Sequence, residues 1–152
     1  MKLLACFDGS IQSYKAVEEA KKLAQSFEER EVTLIHVYPE KEASCWDKIN
    51  ETKGPMTTKE LTESERSQIE RFMSIKKMAD ALTGEFEKAN IKVSTRIIKG
   101  DPVGKITEIA EKEGYDMIVV GNRGLGGVKK LMLGSISNGV IQGSRVNVLV
   151  VK

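Results

Sequence analysis

The sequence predicts an α/β fold in which the strands of one parallel sheet alternate with helices. Five short runs are rich in Val, Ile and Leu and mostly apolar at consecutive positions, as is typical of strands covered on both faces. Stretches with apolar residues at helical spacing separate them. Right-handed crossovers then give a three-layer sandwich. The predicted strands are residues 2–7, 32–38, 92–98, 116–120 and 146–151.

The first two helices are predicted from apolar spacing and capping residues. Ser10 is placed to cap a helix that buries Val17 and its neighbours at helical spacing. A second helix is expected to begin near Thr57 or Thr58, because Thr57 and Glu60 can form a capping box. The apolar residues of this helix continue at helical spacing to Phe86.

The last two helices carry equally local signals. Asp101 and Pro102 are a cap and a first-turn proline for a helix that stops at Gly114. Ser135 is expected to cap a short final helix. Two interior glycines, Gly139 and Gly143, are expected to loosen that helix, since each costs up to about 1 kcal/mol relative to Ala.

Composition restricts the possible partners. The 152 residues include 24 Lys and Arg and 22 Asp and Glu, which gives a formal net charge of +2. This offers no broad field for nucleic acid or an anionic membrane, so the positive charge that matters is local, at Arg123, Lys129 and Lys130. Cys6 and Cys45 lack the spacing of a redox or zinc motif, which favours a reducing compartment. No apolar run is long enough for a membrane span, and we expect a cytoplasmic protein.

The most informative motif is a glycine-rich segment that follows the apolar run 117–120. Its spacing is Gly121-x2-Gly124-x9-Gly134-Ser135. Glycines allow backbone N–H groups to approach an anion, and a following helix adds unpaired N–H groups and its positive dipole end. The spacing differs from both the P-loop and the dinucleotide fingerprint. It therefore predicts a phosphate-binding site of another kind.

This motif and three others resemble the universal stress protein family, in particular its ATP-binding members. The resemblance covers the chain except for about residues 40–64. It implies an adenine-nucleotide alpha hydrolase-like arrangement of five parallel strands in the order 3-2-1-4-5, with the ligand at the switch between strands one and four. The other matching segments are Leu3-Leu4-Ala5-Cys6-Phe7-Asp8-Gly9-Ser10, Gly100-Asp101-Pro102 and Val148-Leu149-Val150-Val151.

The resemblance also implies which residues bind the nucleotide. Asp8 would lie beside the nucleoside or its bound metal, although on spacing alone it could equally satisfy N–H groups of the following turn. Val37 would hold adenine through backbone groups, and Gly124 would allow a tight loop conformation at positive φ. The expected cofactor is ATP with accompanying Mg²⁺ or Mn²⁺. The predicted site residues are Asp8, Gly9, Ser10, Val37, Gly121, Arg123, Gly124, Gly134, Ser135 and Ile136.

Two further features carry weaker signals. We expect one domain over residues 1–152, in which about residues 39–58 are a polar insertion. This insertion is either a surface loop or a lid or partner-docking element anchored by Trp46. His36, the only histidine, lies within a predicted strand and is expected to be a packed, hydrogen-bonded residue rather than a catalyst.

The predicted function is that of a nucleotide-dependent sensor or regulator in stress response, with at most slow ATP hydrolysis or autophosphorylation. The alternatives are an ATP-using enzyme of the related adenine-binding α/β group and a nucleotide-free interaction module. A receiver domain is disfavoured, because Ile98-Lys99-Gly100 stands where its phosphorylated Asp would lie. We also expect a homodimer through residues 146–151, with Val148 and Val150 near the two-fold axis.

Overall fold

The computed structural model of the chain describes residues 1–40, 62–124 and 133–152. In this part of the chain, strands and helices alternate along the sequence as predicted, and each predicted strand is present within about two residues of its expected bounds. The strands are β1 (Lys2–Cys6), β2 (Glu31–Tyr38), β3 (Lys92–Lys99), β4 (Met117–Gly121) and β5 (Asn147–Val151). The helices are α1 (Ile11–Gln25), α2 (Glu63–Lys88), α3 (Pro102–Lys112) and α4 (Ser135–Gly143).

The strands form one sheet in the order β3-β2-β1-β4-β5, and all neighbouring strands are parallel. The predicted three-layer α/β sandwich and the strand order implied by the family resemblance are both confirmed. Because the chain moves outward in opposite directions from β1, the crossovers leave a crevice at the carboxyl ends of β1 and β4.

Helices cover both faces of the sheet. On one face, α1 and α2 pack over alternate residues of the central strands, such as Leu3 and Leu34. On the other, α3 and α4 pack over the residues between them, such as Leu4 and Ile35. Since both faces are buried, the central strands are apolar at nearly every position. None of the described helices is both long and apolar enough to cross a membrane.

The first two helices begin at side-chain caps. The Ser10 hydroxyl accepts a hydrogen bond from the Ser13 N–H at 3.1 Å, which confirms Ser10 as the cap of α1. Helix α2 follows a capping box of Thr62 and Glu65. The predicted start near Thr57 and Thr58, with Glu60, lies outside the described residues. The same Thr-x-x-Glu spacing recurs five residues later, where the box is formed.

The predicted bounds of α3 are confirmed, but the start of α4 is not. The Asp101 carboxylate accepts from the Gly104 N–H at 2.7 Å, Pro102 begins α3, and Gly114 follows its end at a φ of 67°. Ser135 was expected to cap α4, yet it is the first helical residue, and Gly134 holds the cap position without a side-chain hydrogen bond. A Cβ at Gly134 would lie 3.2 Å from the Arg123 Cα, so close backbone packing disfavours a side chain at this cap position.

Candidate functional site

A pocket opens at the carboxyl ends of the central strands, on the face covered by α3 and α4. Its floor includes Cys6, Ile35 and Val120, and its wall includes Pro102 and Ile106 from the start of α3. The first turn of α4 forms the opposite side. The crevice between β1 and β4 and the glycine-rich motif therefore lie at the same place, as the sequence predicted.

Most of the predicted site residues line this pocket: Asp8, Val37, Gly121, Arg123, Gly124, Gly134, Ser135 and Ile136. The other two, Gly9 and Ser10, lie outside its lining and shape the turn into α1. Gly9 has a φ of 88°, a conformation that favours glycine, and packs near Ile75 of α2. Ser10 is buried and uses its hydroxyl to cap the helix.

Asp8 fulfils one of its two possible roles, and its second oxygen has no hydrogen-bond partner among the described residues. Its Oδ1 accepts from the Ser10 N–H at 2.9 Å, the turn-satisfying role. Its Oδ2 lies against Gly124 on the opposite side of the crevice. Among the described residues that line the pocket, Asp8 is the only acidic one. Oxygen ligands are what Mg²⁺ requires, so Oδ2 could reach a nucleotide-bound metal ion but could not hold one alone.

Two glycines allow close approach rather than an unusual backbone conformation. A Cβ at Gly121 would lie 2.7 Å from the Gln12 carbonyl carbon and oxygen, so β4 can end against α1 only without a side chain. A Cβ at Gly124 would overlap Asp8 Oδ2. The expectation of a positive φ at Gly124 is wrong: the described glycines at positive φ are Gly9, Gly100 and Gly114.

The start of α4 presents unpaired backbone donors to the pocket. The helices α1, α2 and α3 each have a side-chain cap, whereas α4 has none. The Ser137 hydroxyl turns away and donates to the carbonyls of Asn122 and Gly134, both at 3.0 Å. The N–H groups of the first turn, from Ser135 to Ser137, are left without a partner among the described residues. Such a helix start favours an anion.

At the other end of the pocket, Val37 presents its backbone N–H and C=O groups. The N–H and C=O of a strand residue point to the same side and alternate along the strand. Ile35 accepts from Phe7 at 3.0 Å on the β1 side, and Tyr38 accepts from Gly100 at 2.9 Å on the β3 side. Val37 therefore directs both groups to the β1 side, beyond the end of β1, and no described backbone hydrogen bond uses them there.

His36 is packed and hydrogen-bonded, as predicted. It is 4% exposed, and its Nδ1 lies 2.8 Å from the Phe7 carbonyl oxygen. Since a carbonyl only accepts, Nδ1 carries the proton. The ring also contacts the Phe7 ring at a centroid distance of 5.6 Å. This hydrogen bond from His36 fixes the direction of the Phe7 carbonyl, just after the end of β1.

Several residues that line the pocket carry no signal in the sequence that would identify them as site residues. Cys6 was recognised only as a strand residue, yet burial, with the Asp8 charge as second cause, raises the pKa of its thiol to about 12. The thiol is therefore neutral. Ser13 lies in the pocket lining, and only its spacing from Ser10 could have indicated this. The sequence indicates the other lining residues only as parts of strands, helices or connections: Phe7, Ile35, His36, Pro102, Ile106, Val120, Leu133 and Ser137. Lys129, Lys130 and Trp46 lie outside the described residues.

Comparison with known proteins decides the family. The family model described as the universal stress protein family matches residues 1–152. The chain belongs to the universal stress protein family. Universal stress protein YxiE of Bacillus subtilis is 30% identical over 151 residues, 99% of this chain and 98% of YxiE. Universal stress protein MJ0577 of Methanocaldococcus jannaschii is 31% identical over 133 residues, 86% of this chain and 82% of MJ0577.

Solved universal stress proteins have the same fold. The structure of MJ0577 matches with a TM-score of 0.74 at 29% identity, covering 99% of this chain and 94% of that one. A universal stress protein of Archaeoglobus fulgidus, solved in complex with dAMP, matches with a TM-score of 0.65 at 17% identity. It covers 100% of this chain and 98% of the Archaeoglobus chain. At that identity the second likeness concerns the fold alone.

Proposed function

We propose that this universal stress protein binds ATP in the pocket between β1 and β4 and acts as a nucleotide-dependent sensor or regulator in stress response. The protein would work in the cytoplasm as one domain over residues 1–152. One observation carries the proposal: within the described part of the chain, a single pocket has Val37 backbone groups without a backbone partner at one end and the uncapped start of α4 at the other. The Archaeoglobus protein, which shares the fold, was solved in complex with dAMP, so this fold can bind an adenine nucleotide.

The base end suits adenine. An N–H and a C=O from Val37 on one side match the ring nitrogen acceptor and exocyclic amine donor of adenine. Guanine would bring its carbonyl against the Val37 carbonyl and a ring N–H against the Val37 N–H. Apolar side chains, including Ile35, Pro102 and Ile106, complete this end and favour a flat aromatic base. We therefore expect ATP to bind more tightly than GTP.

The phosphate end suits a charged chain. Ser135 and Ile136 offer N–H donors at the positive end of the α4 dipole, and Gly134 has no side chain to block them. The backbone of Arg123 runs beside Gly134. Asp8 Oδ2 would contact the ribose or a Mg²⁺ or Mn²⁺ ion that accompanies the phosphates.

We expect at most slow turnover. Fast phosphoryl transfer needs a positioned acceptor, fixed metal ions and charge stabilisation on the moving group. Among the described residues that line the pocket, Asp8 is the only acidic side chain, and one of its oxygens already serves the turn. The arrangement favours retention of the nucleotide, which suits a sensor better than a rapid enzyme.

A homodimer through β5 forms the second part of the proposal. The other edge strand, β3, carries Lys92 and Lys99 and an Arg96 ion pair at 2.6 Å, features that discourage pairing. Strand β5 has no charged residue, and its residues from Val148 to Val151 are only partly buried. Since Val151 accepts from the Asn122 N–H at 2.7 Å toward β4, the backbone groups of Val148 and Val150 point outward. A second copy could pair with them.

A matched pair of proline variants tests the nucleotide site. Proline is tolerated at the first helical position and removes one N–H. Gly134 and Ser10, which precede α4 and α1, have ψ angles of 160° and 157°, compatible with a following proline. Calorimetry should show that Ser135→Pro weakens Mg-ATP binding by about tenfold or more. Ile11→Pro, at the exposed start of α1, should bind as the unchanged protein does.

Three results decide whether the start of α4 binds the phosphates and whether the protein binds ATP at all. Ser135→Ala, which keeps the N–H and removes the hydroxyl, should lose less affinity than Ser135→Pro. If Ser135→Pro folds and binds normally, the start of α4 does not hold the phosphates. If the unchanged, folded protein gives neither heat nor thermal shift with Mg-ATP, a nucleotide-free interaction module replaces the proposal.

A further inference from the structure

Ser13 connects the end of β1 to the turn that follows it. This residue lies in the first turn of α1, is 5% exposed and contributes to the pocket lining. Its hydroxyl accepts from the Asp8 N–H at 3.2 Å and donates to the Ser10 carbonyl at 2.9 Å. Its own N–H donates to the Ser10 hydroxyl at 3.1 Å. One buried residue thereby satisfies three polar groups of the turn.

Ser13 also lies against the other strand of the crevice. A Cβ at Gly121, the last residue of β4, would stand 3.0 Å from the Ser13 nitrogen. The peptide between Gln12 and Ser13 is therefore packed directly on the end of β4. The contacts of Ser13 reach both strands that flank the pocket, which places it at the switch point of the sheet.

We infer that Ser13 is a positioning residue for Asp8, an inference that rests on the proposed nucleotide binding. The Ser13 hydroxyl holds the Asp8 backbone, and the Ser10 N–H holds Asp8 Oδ1 at 2.9 Å. With both fixed, Oδ2 is directed across the crevice toward Gly124. Removal of the hydroxyl leaves the Asp8 N–H without its partner and takes one of two donors from the Ser10 carbonyl, which keeps the Tyr14 N–H at 3.0 Å. The Asp8 backbone is then held less firmly, and its carboxylate can turn.

This role can be separated from helix capping. The cap of α1 uses the N–H of Ser13 and the hydroxyl of Ser10. Loss of the Ser13 hydroxyl keeps that hydrogen bond and removes only the bonds to the Asp8 N–H and the Ser10 carbonyl. A purely structural residue would alter stability without altering the direction of the Asp8 carboxylate.

The experiment compares Ser13→Ala with the isosteric pair Ser13→Thr and Ser13→Val. Thr and Val add the same bulk, so the difference between them reports the hydroxyl alone. Val17→Ala, in the buried core of α1, is the matched control for lost stability. Two quantities are measured for each protein: the dissociation constant of Mg-ATP by calorimetry, and the χ1 rotamer population of Asp8 from NMR scalar couplings.

The expected result is one Asp8 rotamer in the unchanged protein, Ser13→Thr and Val17→Ala, and averaged rotamers in Ser13→Ala and Ser13→Val. The variants without a hydroxyl should bind Mg-ATP about tenfold more weakly than Ser13→Thr. Equal rotamer populations in Ser13→Thr and Ser13→Val overturn the inference. If the unchanged protein binds no nucleotide, the proposed function fails, and the rotamer measurement alone still decides whether Ser13 positions Asp8.

Discussion

The Asp8 carboxylate occupies the space in which a side chain at Gly124 would begin. A Cβ at position 124 would overlap Asp8 Oδ2 and lie 3.6 Å from the Asp8 Cγ. The two residues belong to opposite sides of the crevice. The requirement for glycine at position 124 therefore depends on the aspartate at position 8.

Gly124→Ala should displace the Asp8 carboxylate and cost the hydrogen bond from the Ser10 N–H. We expect the free energy of unfolding to fall by about 1 kcal/mol and Mg-ATP binding to weaken. In an Asp8→Ala background the same change should cost almost nothing, because the obstacle is gone. Denaturant unfolding of the four proteins measures this coupling. Additive effects would mean that Asp8 and Gly124 are not in contact.

Gly139→Ala tests the packing of α4 on α3. A Cβ there would lie 2.7 Å from Val103 Cγ2, whereas at Gly143 the nearest atoms are 3.9 Å away or more. Although Ala favours a helix by up to about 1 kcal/mol, we expect Gly139→Ala to destabilise the protein by about 1–3 kcal/mol through overpacking.

Two controls accompany this change. Gly143→Ala should be neutral or stabilising, since it gains helix propensity without a clash. Val103→Ala should remove much of the penalty of Gly139→Ala. A stabilised Gly139→Ala protein in thermal unfolding would instead support the view that this glycine only loosens the helix.

The buried thiol of Cys6 should make stability depend on alkaline pH. Its pKa rises from 9.0 to about 12 on folding, so between these values the unfolded chain has lost the proton while the folded protein keeps it. The free energy of unfolding should therefore fall as pH rises through this window, by up to about 1.4 kcal/mol per pH unit.

The Cys6 contribution is isolated by difference. With Cys45→Ser in both proteins, the stability advantage of Cys6 over Cys6→Ala should shrink as pH increases above about 9. An advantage that stays constant with pH would show that the thiol ionises equally in both states. In the folded protein the same thiol should resist alkylation at pH 8, because the thiolate is the reactive form.

Val148→Pro should convert the proposed dimer to a monomer without unfolding it. The Val148 N–H points away from β4, so proline removes an outward donor and leaves the internal ladder intact. Leu149→Pro, one residue on, removes a donor to β4 and should destabilise the fold itself. Sedimentation at tens of micromolar provides the measurement. A monomeric unchanged protein defeats the dimer proposal, and a dimeric Val148→Pro places the interface elsewhere.

The sequence predicted the architecture because each element carried a local signal. The apolar strand runs, the Ser10 cap and the Asp101-Pro102 start all depend on neighbours close in the chain. What it could not predict depends on contacts between distant segments. The role of Gly124 follows from Asp8, and that of Gly139 from Val103.

The start of α4 shows the same limit. A serine at the head of a helical pattern predicts a cap, and Ser135 fits that pattern. The cap position is instead Gly134, where a Cβ would lie 3.2 Å from the Arg123 Cα, a tight contact. The missing cap, which the local sequence does not indicate, leaves the first-turn N–H groups of α4 without a partner among the described residues.

The backbone of Asn122 links two neighbouring elements, the end of β5 and the start of α4. The Asn122 N–H donates to Val151 of β5 at 2.7 Å, and its carbonyl accepts from the Gly134 N–H at 2.8 Å. Movement of the end of β5 or of the start of α4 away from Asn122 breaks one of these two hydrogen bonds. In amide hydrogen exchange, the end of β5 and the first turn of α4 should therefore open as one cooperative unit.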